Sequence, residues 1–219
     1  MIDLRIEDGR LEIEGYRDEA TLADLRCAVE EARTDPSLVT AFCAGCGRCC
    51  YYEHLPVFGF DIAEMQRRLS ADELAQKLSF PGWPSIEDRR RAITDLQRQH
   101  GFDRKTASLL YEYNVAEPVS YTKSTGGSCA YLSNGVCSNY AYRAYTCALY
   151  ACTMGDDLLS LQERIVRQGV WHSYHVLGWV SLEEISHNPF VHADRYDTVR
   201  IAAFDVDLSK ALESLFFYF

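Results

Sequence analysis

Long apolar runs are absent from this 219-residue sequence. No stretch approaches the ~18 consecutive apolar residues that a bilayer-crossing helix requires, so a membrane-spanning protein is not expected. The opening segment, MIDLRIEDGRLEIEG, alternates charged with apolar residues and lacks the apolar core of a secretory leader. Basic charge is scarce as well: 22 Lys and Arg stand against 32 Asp and Glu, a formal net charge of −10. A general nucleic-acid binder needs a basic stripe to displace counterions from phosphates, so that class is not expected either. The densest basic run, Arg89-Arg90-Arg91, shares its helical stretch with Glu87, Asp88 and Asp95 and reads as a solvated helix face. Phosphate loops, dinucleotide fingerprints and nucleophile elbows are missing too. So are repeats, low-complexity tracts and a clear linker.

Cysteine is abundant. The chain holds nine, and the stretch CAGCGRCC puts Cys43, Cys46, Cys49 and Cys50 within eight positions. With no leader or membrane span, the expected compartment is the cytoplasm, which keeps thiols reduced. Many cysteines in such a compartment point to metal binding or catalysis rather than to a disulfide framework. A hydrophobic fraction of 47% over this length builds a core unaided, so a metal would be present for a function and not merely to reach folding stability.

The rest of the chain reads as one α+β domain over residues 1–219, helix-rich, with small β-hairpins and an irregular cysteine-rich metal site. Ile2, Leu4 and Ile6 alternate before an Asp8-Gly9 turn, and Leu11 and Ile13 alternate on the return, which predicts a hairpin. Thr21 and Asp24 form a capping-box pattern ahead of Leu22, Leu25, Val29 and Ala32, the apolar face of a helix ending at Asp35-Pro36. Cys27 falls on the polar face of that helix and reads as a bystander. Short helices are expected over 60–69, starting at Asp61 with Glu64, and over 70–78, starting at Ser70 with Glu73. Longer ones are expected over 85–100, 104–113 and 156–170. Asn134-Gly135 reads as a hairpin tip, TVRIAAFDV (198–206) as a strand, and Leu208, Ala211, Leu212 and Leu215 as one face of a closing helix.

The second cysteine group is more open: Cys129, Cys137, Cys147 and Cys152. A C-x-x-C turn brings two sulfurs together while its backbone N–H groups stabilise thiolate charge. Repeated as C-x-x-C-x-x-C, it wraps three sulfurs around one centre, as iron–sulfur clusters require, with further ligands drawn from elsewhere. Zinc is the competitor, since two separated pairs of thiolates make a tetrahedral site and ligand type alone does not separate the metals. An iron–sulfur cluster, of the 4Fe-4S kind, is the favoured cofactor and zinc the alternative. Adjacent Cys49 and Cys50 bridge each other only with strain, which argues against cystines.

CAGCGRCC followed by CAYLSNGVCSNYAYRAYTC resembles the CxxCxxCC (YkgJ-like) family of zinc- or iron-chelating proteins. Cys129, Leu132, Gly135, Cys137, Tyr140, Arg143 and Cys147 stand where the family pattern has them. Ala144 stands where the family has proline, Ala148 where it has arginine, and Cys152 is extra. The resemblance implies a metal centre whose halves lie at 43–50 and 129–152. A more distant resemblance, to the cysteine-cluster part of flagellin lysine N-methylases, implies a protein or peptide substrate as a second possibility. Structural zinc binding and metal handling without catalysis also stay open. The metal ion or cluster is thus the expected partner, with neither nucleic acid nor membrane.

Other residues carry weaker signals. His172 and His175 share a helix face if the 156–170 helix continues, but read more simply as packed residues. His54 is a candidate replacement ligand, or a hydrogen-bond donor to the ligands. Arg143, between Cys137 and Cys147, is either a cation offsetting thiolate charge or an ordinary surface residue. Seven tyrosines near the cysteines (51, 52, 131, 140, 142, 145 and 150) offer either an aromatic wall that tunes a cluster or plain packing.

Overall fold

The computed structural model describes residues 2–35, 48–51, 55–80, 86–115, 119–124, 126–149 and 154–205. Its described elements are helices with antiparallel strand pairs, the first a regular hairpin and the later ones very short, an α+β arrangement rich in helix. Strands β1 (Ile2–Glu7) and β2 (Arg10–Tyr16) form the expected hairpin. Asp8 and Gly9 both take positive φ at its tip, 49° and 73°, the backbone a two-residue turn of this hand needs. Helix α1 (Leu22–Ala32) starts where its capping box places it: Thr21 and Asp24 bond reciprocally, and Leu22, Leu25 and Val29 are buried.

Helices α2 (Gly59–Arg68) and α3 (Ala71–Lys77) follow, and the second opens on the expected Ser70–Glu73 capping box. The first starts earlier than its sequence suggests. Its N-cap is Phe58, and Asp61 lies inside the first turn, where its carboxylate accepts the Phe58 N–H at 3.0 Å. Next come α4 (Ile86–His100) and α5 (Arg104–Val115), packed together, then α6 (Tyr145–Leu149) and α7 (Asp156–Val176).

The 21-residue α7 serves both hydrophobic clusters. Leu158, Leu161 and Ile165 join Leu11, Leu22, Leu25, Phe58, Phe190 and Phe204 in one. One to two turns later Val170, Trp171 and Tyr174 join Ile62, Met65, Ala107, Tyr121 and Cys129 in the other. Helix α2 crosses α7 closely enough that a Cβ on Gly59 would meet the His172 carbonyl oxygen at 2.8 Å and the His172 ring Nδ1 at 2.5 Å. A backbone oxygen cannot step aside as a flexible side chain can, so this approach needs glycine.

Two expectations are corrected. The stretch 198–206 is not a strand over its described part: residues 196–198 and Ile201–Phe204 are 3-10 turns, bridged to the chain ahead of α1 by Leu22 N–H to Val199 O (2.9 Å) and Ile201 N–H to Ala20 O (2.8 Å). Ile201 and Phe204 are buried while Ala202 and Ala203 are exposed. Apolar side chains three apart suit a 3-10 turn, where i and i+3 share a side. Arg89 is not on a solvated face. It is 2% exposed, lies 4.9 Å from the Trp171 ring centroid and pairs with Glu184 at 3.3 Å, whereas Arg90 and Arg91 face solvent. Its place in the row 89, 93, 96 is the inner stripe of α4. Burial opposes the charge of Glu184, but hydrogen bonds from Ser181 together with Arg89 and Arg90 hold its pKa below the ordinary value. The expected closing helix at 208–215 lies outside the described residues, and no described helix is long and apolar enough to cross a membrane.

Truncating one partner of a buried ion pair strands the other, so Arg89→Ala should cost about 3–5 kcal/mol in urea unfolding. Arg91→Ala, on the exposed side of the same helix, should stay within about 0.5 kcal/mol; equal losses would return the whole run to the surface. Gly59→Ala should cost about 1–3 kcal/mol through the α2–α7 contact, read as a lowered unfolding midpoint.

Candidate metal centre

A 3-10 turn, Arg48–Tyr51, carries Cys50. Its carbonyl oxygen accepts two donors from the second cysteine region, the Cys129 N–H at 2.7 Å and Lys123 Nζ at 3.0 Å. The two cysteine groups therefore touch at their inner ends. The partner segment is a tight loop: Lys123 bridges Cys129 in antiparallel fashion, and Ser124 N–H donates to Ser128 O at 2.7 Å. The Ala130 N–H then bonds Thr122 O, and the Thr122 N–H bonds Lys77 O at the end of α3.

Strands β3 (Leu78–Ser79) and β4 (Ser120–Tyr121) pair beneath this loop, and β5 (Leu132–Ser133) and β6 (Val136–Cys137) form the next hairpin. Its tip is Asn134-Gly135, as expected, both residues at positive φ. Cys137 sits opposite Leu132. Beyond a 3-10 turn at Tyr140–Tyr142, α6 carries Cys147.

Cys129 is buried, and Cys50 and Cys147 pack against the same hydrophobic cluster. Burial pushes the Cys129 thiol up; the Tyr131 backbone N–H, Lys123 and Lys77 pull the other way, and neighbouring Cys137 adds to the rise. Cys129 and Cys137 are thiols and not a cystine. Tyr121 lies between these groups and α2. Burial raises its pKa well above 10, with the charges of Asp61, Cys147, Tyr131 and Cys129 adding to the rise, in that order. The Tyr131 ring meets Tyr121 edge-on at 5.1 Å, and Lys77 Nζ lies 5.0 Å from the centroid of Tyr131. Cys129 thus lies close to Cys137, with Tyr121 and Tyr131 beside it and Lys77 and Lys123 the nearby cations.

Among the described residues, no three His, Cys, Asp or Glu side chains are grouped so as to hold an ion. Of the expected ligands, Cys43, Cys46 and Cys152 lie outside the described residues, as does His54. Cys49 is described in its backbone alone. Cys27 is exposed on α1, as its helix position implied.

Among the described residues, the partners of Arg143 are an acid and a ring, not a cysteine. It pairs with Glu30 at 2.6 Å and lies over the Tyr140 ring at 4.2 Å. The cations near Cys129 are instead Lys77 and Lys123, which sequence reasoning overlooked. Lys123, six residues before Cys129 in a turn-rich stretch, was the visible signal; Lys77, about a quarter of the chain away, left none.

His172 belongs to the α2–α7 contact, whereas His175 meets the chain just beyond the end of α7. Helix α7 runs past residue 170 to Val176 and carries both. The His172 ring packs against Phe60 at 4.5 Å and Phe190 at 5.7 Å, and His175 Nδ1 lies 3.0 Å from Val180 O. Of the tyrosines, Tyr131 walls the thiols, Tyr145 is core, and Tyr51, Tyr140 and Tyr142 are exposed; Tyr52 and Tyr150 lie outside the described residues.

Asp61 joins the two regions. One carboxylate oxygen accepts the Phe58 N–H and the other accepts the Tyr145 N–H at 3.3 Å, so it ties the start of α2 to the start of α6. Burial lifts its pKa to about 7 against those two donors. Beside it a cavity of about 460 Å³ opens between α1, α2 and the 140–148 stretch.

The CxxCxxCC family, described as a "Putative zinc- or iron-chelating domain", matches residues 42–168, more than half of the chain. No curated protein and no solved structure matches it.

Asp61 and His172 have opposite effects on stability across acid pH. The raised carboxyl makes the folded state hold its proton more tightly, so its contribution falls as pH rises from about 4 towards about 7. Burial first, then His175, pushes His172 down to about 4, so its contribution is lost as pH falls from about 6.5. The two slopes oppose each other between these limits. Asp61→Asn should unmask the histidine slope, with urea midpoints rising more steeply from pH 4.5 to 6.5 than in the parent. Parallel profiles would refute this coupling.

Proposed function

Because the chain belongs to the CxxCxxCC family, we propose that it is a metal protein whose centre is an iron–sulfur cluster, most simply of the 4Fe-4S type. The observation that carries this reading is the contact of Cys50 with Cys129, which joins two cysteine groups distant in sequence. Cys43, Cys46, Cys49 and Cys50 supply one half of the ligands and Cys129, Cys137 and Cys147 the other, with Cys152 an additional thiol. Thiolates are soft donors that suit both iron–sulfur clusters and zinc. Several features fit the cluster better than a bare zinc ion. The sequence offers more thiols than one tetrahedral ion uses. Tyr121 and Tyr131 exclude water from one side, and Lys77 and Lys123 offset the negative charge that several thiolates bring.

When bound, a cluster would supply one-electron chemistry; the chain's own residues hold and shield it. Lys123 has two tasks, since its ammonium also bonds the Cys50 carbonyl. Redox chemistry, including modification of a peptide or protein, is consistent with such a centre in the cytoplasm.

Anaerobically purified protein should be brown, with a broad absorption band near about 400 nm and acid-labile sulfide equal to its iron. Cys129→Ser should lose most of that absorbance while its far-UV spectrum stays helical. Lys123→Gln should keep the cluster but lower its reduction potential, because a positive charge near the thiolates has gone. Colourless protein holding stoichiometric zinc and no sulfide would reject the cluster in favour of structural zinc. Metal lost to a mild chelator would point to a metal handler.

A further inference from the structure

The cavity beside Asp61 gathers charged side chains from separate parts of the chain. The chain carries a formal net charge of −10, yet three guanidiniums from three places in the fold line this one space. They are Arg26 of α1, Arg68 of α2, and Arg143 just before α6. Its volume of about 460 Å³ is that of a small-molecule site.

The arginines are held in place. Arg143 pairs with Glu30 and lies over Tyr140 at 4.2 Å; Arg68 lies over Tyr142 at 4.3 Å. Arg26 donates to the Tyr196 hydroxyl at 2.8 Å and faces Asp197 at 3.4 Å. Stacking on a ring fixes the guanidinium plane and leaves its edge for hydrogen bonding. Both hydrogen-bonding contacts of Arg68, to Glu64 O at 3.4 Å and Glu64 Oε1 at 3.2 Å, use Nε. Its two Nη groups thus have no hydrogen bond among the described residues.

Acidic groups are present too, but two are spoken for: Glu30 by Arg143, and Glu64 by Arg67 and Arg68. Asp61 has both oxygens turned to backbone N–H groups. The cavity's unused hydrogen-bonding capacity is therefore mainly donor. Its walls are flat rings, Phe60, Tyr121 and Tyr196.

We propose that this cavity binds a small organic anion, a carboxylate or phosphate attached to a planar body, with the head on Arg68 and Arg143 and the body between the rings. Bidentate donors suit both heads, and ring walls suit a flat apolar body. Tyr121, which lines this cavity, also stands near Cys129 and Cys147, so the site borders the proposed metal centre.

Isothermal titration of the purified protein with phenyl phosphate, benzoate and benzylamine tests the proposal. At least one anion should bind saturably, in the millimolar range or tighter, and benzylamine should not. Tighter phenyl phosphate indicates a phosphate ligand, tighter benzoate a carboxylate. Arg68→Gln should weaken binding about tenfold or more, and Tyr142→Ala, whose side chain is largely exposed, should weaken it several-fold. Arg91→Gln, on the outside of α4, should change nothing. Arg143→Gln adds a second test if it folds. No saturation by either anion, equal binding of benzylamine, or isotherms indifferent to Arg68→Gln and Tyr142→Ala would each overturn the proposal. The heats are read whatever metal is bound, so failure here leaves the reading of the cysteines standing, and failure there leaves this one.

Discussion

One half-buried carboxylate holds the working parts together. Asp61 has an oxygen on the first turn of α2 and another on the first turn of α6. The first of these helices is scaffold, locked against α7; the second carries Cys147. Burying an acid without a full countercharge is costly, which is why its pKa rises to about 7. The structure tolerates that cost because two helix starts otherwise leave N–H groups unpaired inside the protein. The same side chain borders both the arginine-lined cavity and the space around Tyr121, so the position of each depends on it.

Behind Asp61 stands a scaffold with little slack. Gly59 and Gly169 allow α2 and α7 to approach until backbone of one meets side chain of the other. Phe58, at the α2 N-cap, packs on Tyr145 and Phe190, both 5.7 Å away, so the chain entering α2 is fixed by rings of α6 and the later turn. The cysteine-bearing stretch is secured differently. Its strands are two residues long, and its order comes from loop hydrogen bonds and from Cys129 in the core. Regular helices set the frame, and irregular backbone, with one two-residue strand, carries the described cysteines other than Cys27 and Cys147.

What was legible in the sequence was local. Capping boxes at Thr21 and Ser70, positive-φ hairpin tips at Asp8-Gly9 and Asn134-Gly135, and the exposed side of Cys27 all follow from periodicities or turn chemistry over a few residues. The spacing of CAGCGRCC and its downstream partner announced the family. What misled was whatever depends on a partner far away. Arg89 looks like any surface arginine until Glu184 and Trp171 are placed beside it. Ile201 to Phe204 has strand-forming neighbours, but the core it meets accepts an i, i+3 pair. Asp61 reads as an ordinary first-turn acid, and its second hydrogen bond, to Tyr145, spans 84 positions. Arg143 stands in a motif between two cysteines and yet answers to Glu30 on α1.

The Cys50 carbonyl, with an amide and an ammonium both donating to it, has a thermodynamic consequence for metal uptake. Drawing together thiols from either end of a long, floppy segment normally subtracts ring-closure entropy from the intrinsic strength of the metal–sulfur bonds. Here folding has already closed that ring at residues 50 and 129, by ordinary backbone bonding and without an ion. For the proposed centre, an arriving ion or cluster would find the segments of Cys50 and Cys129 already joined, and its apparent affinity would track the stability of the surrounding helices as closely as the chemistry of sulfur.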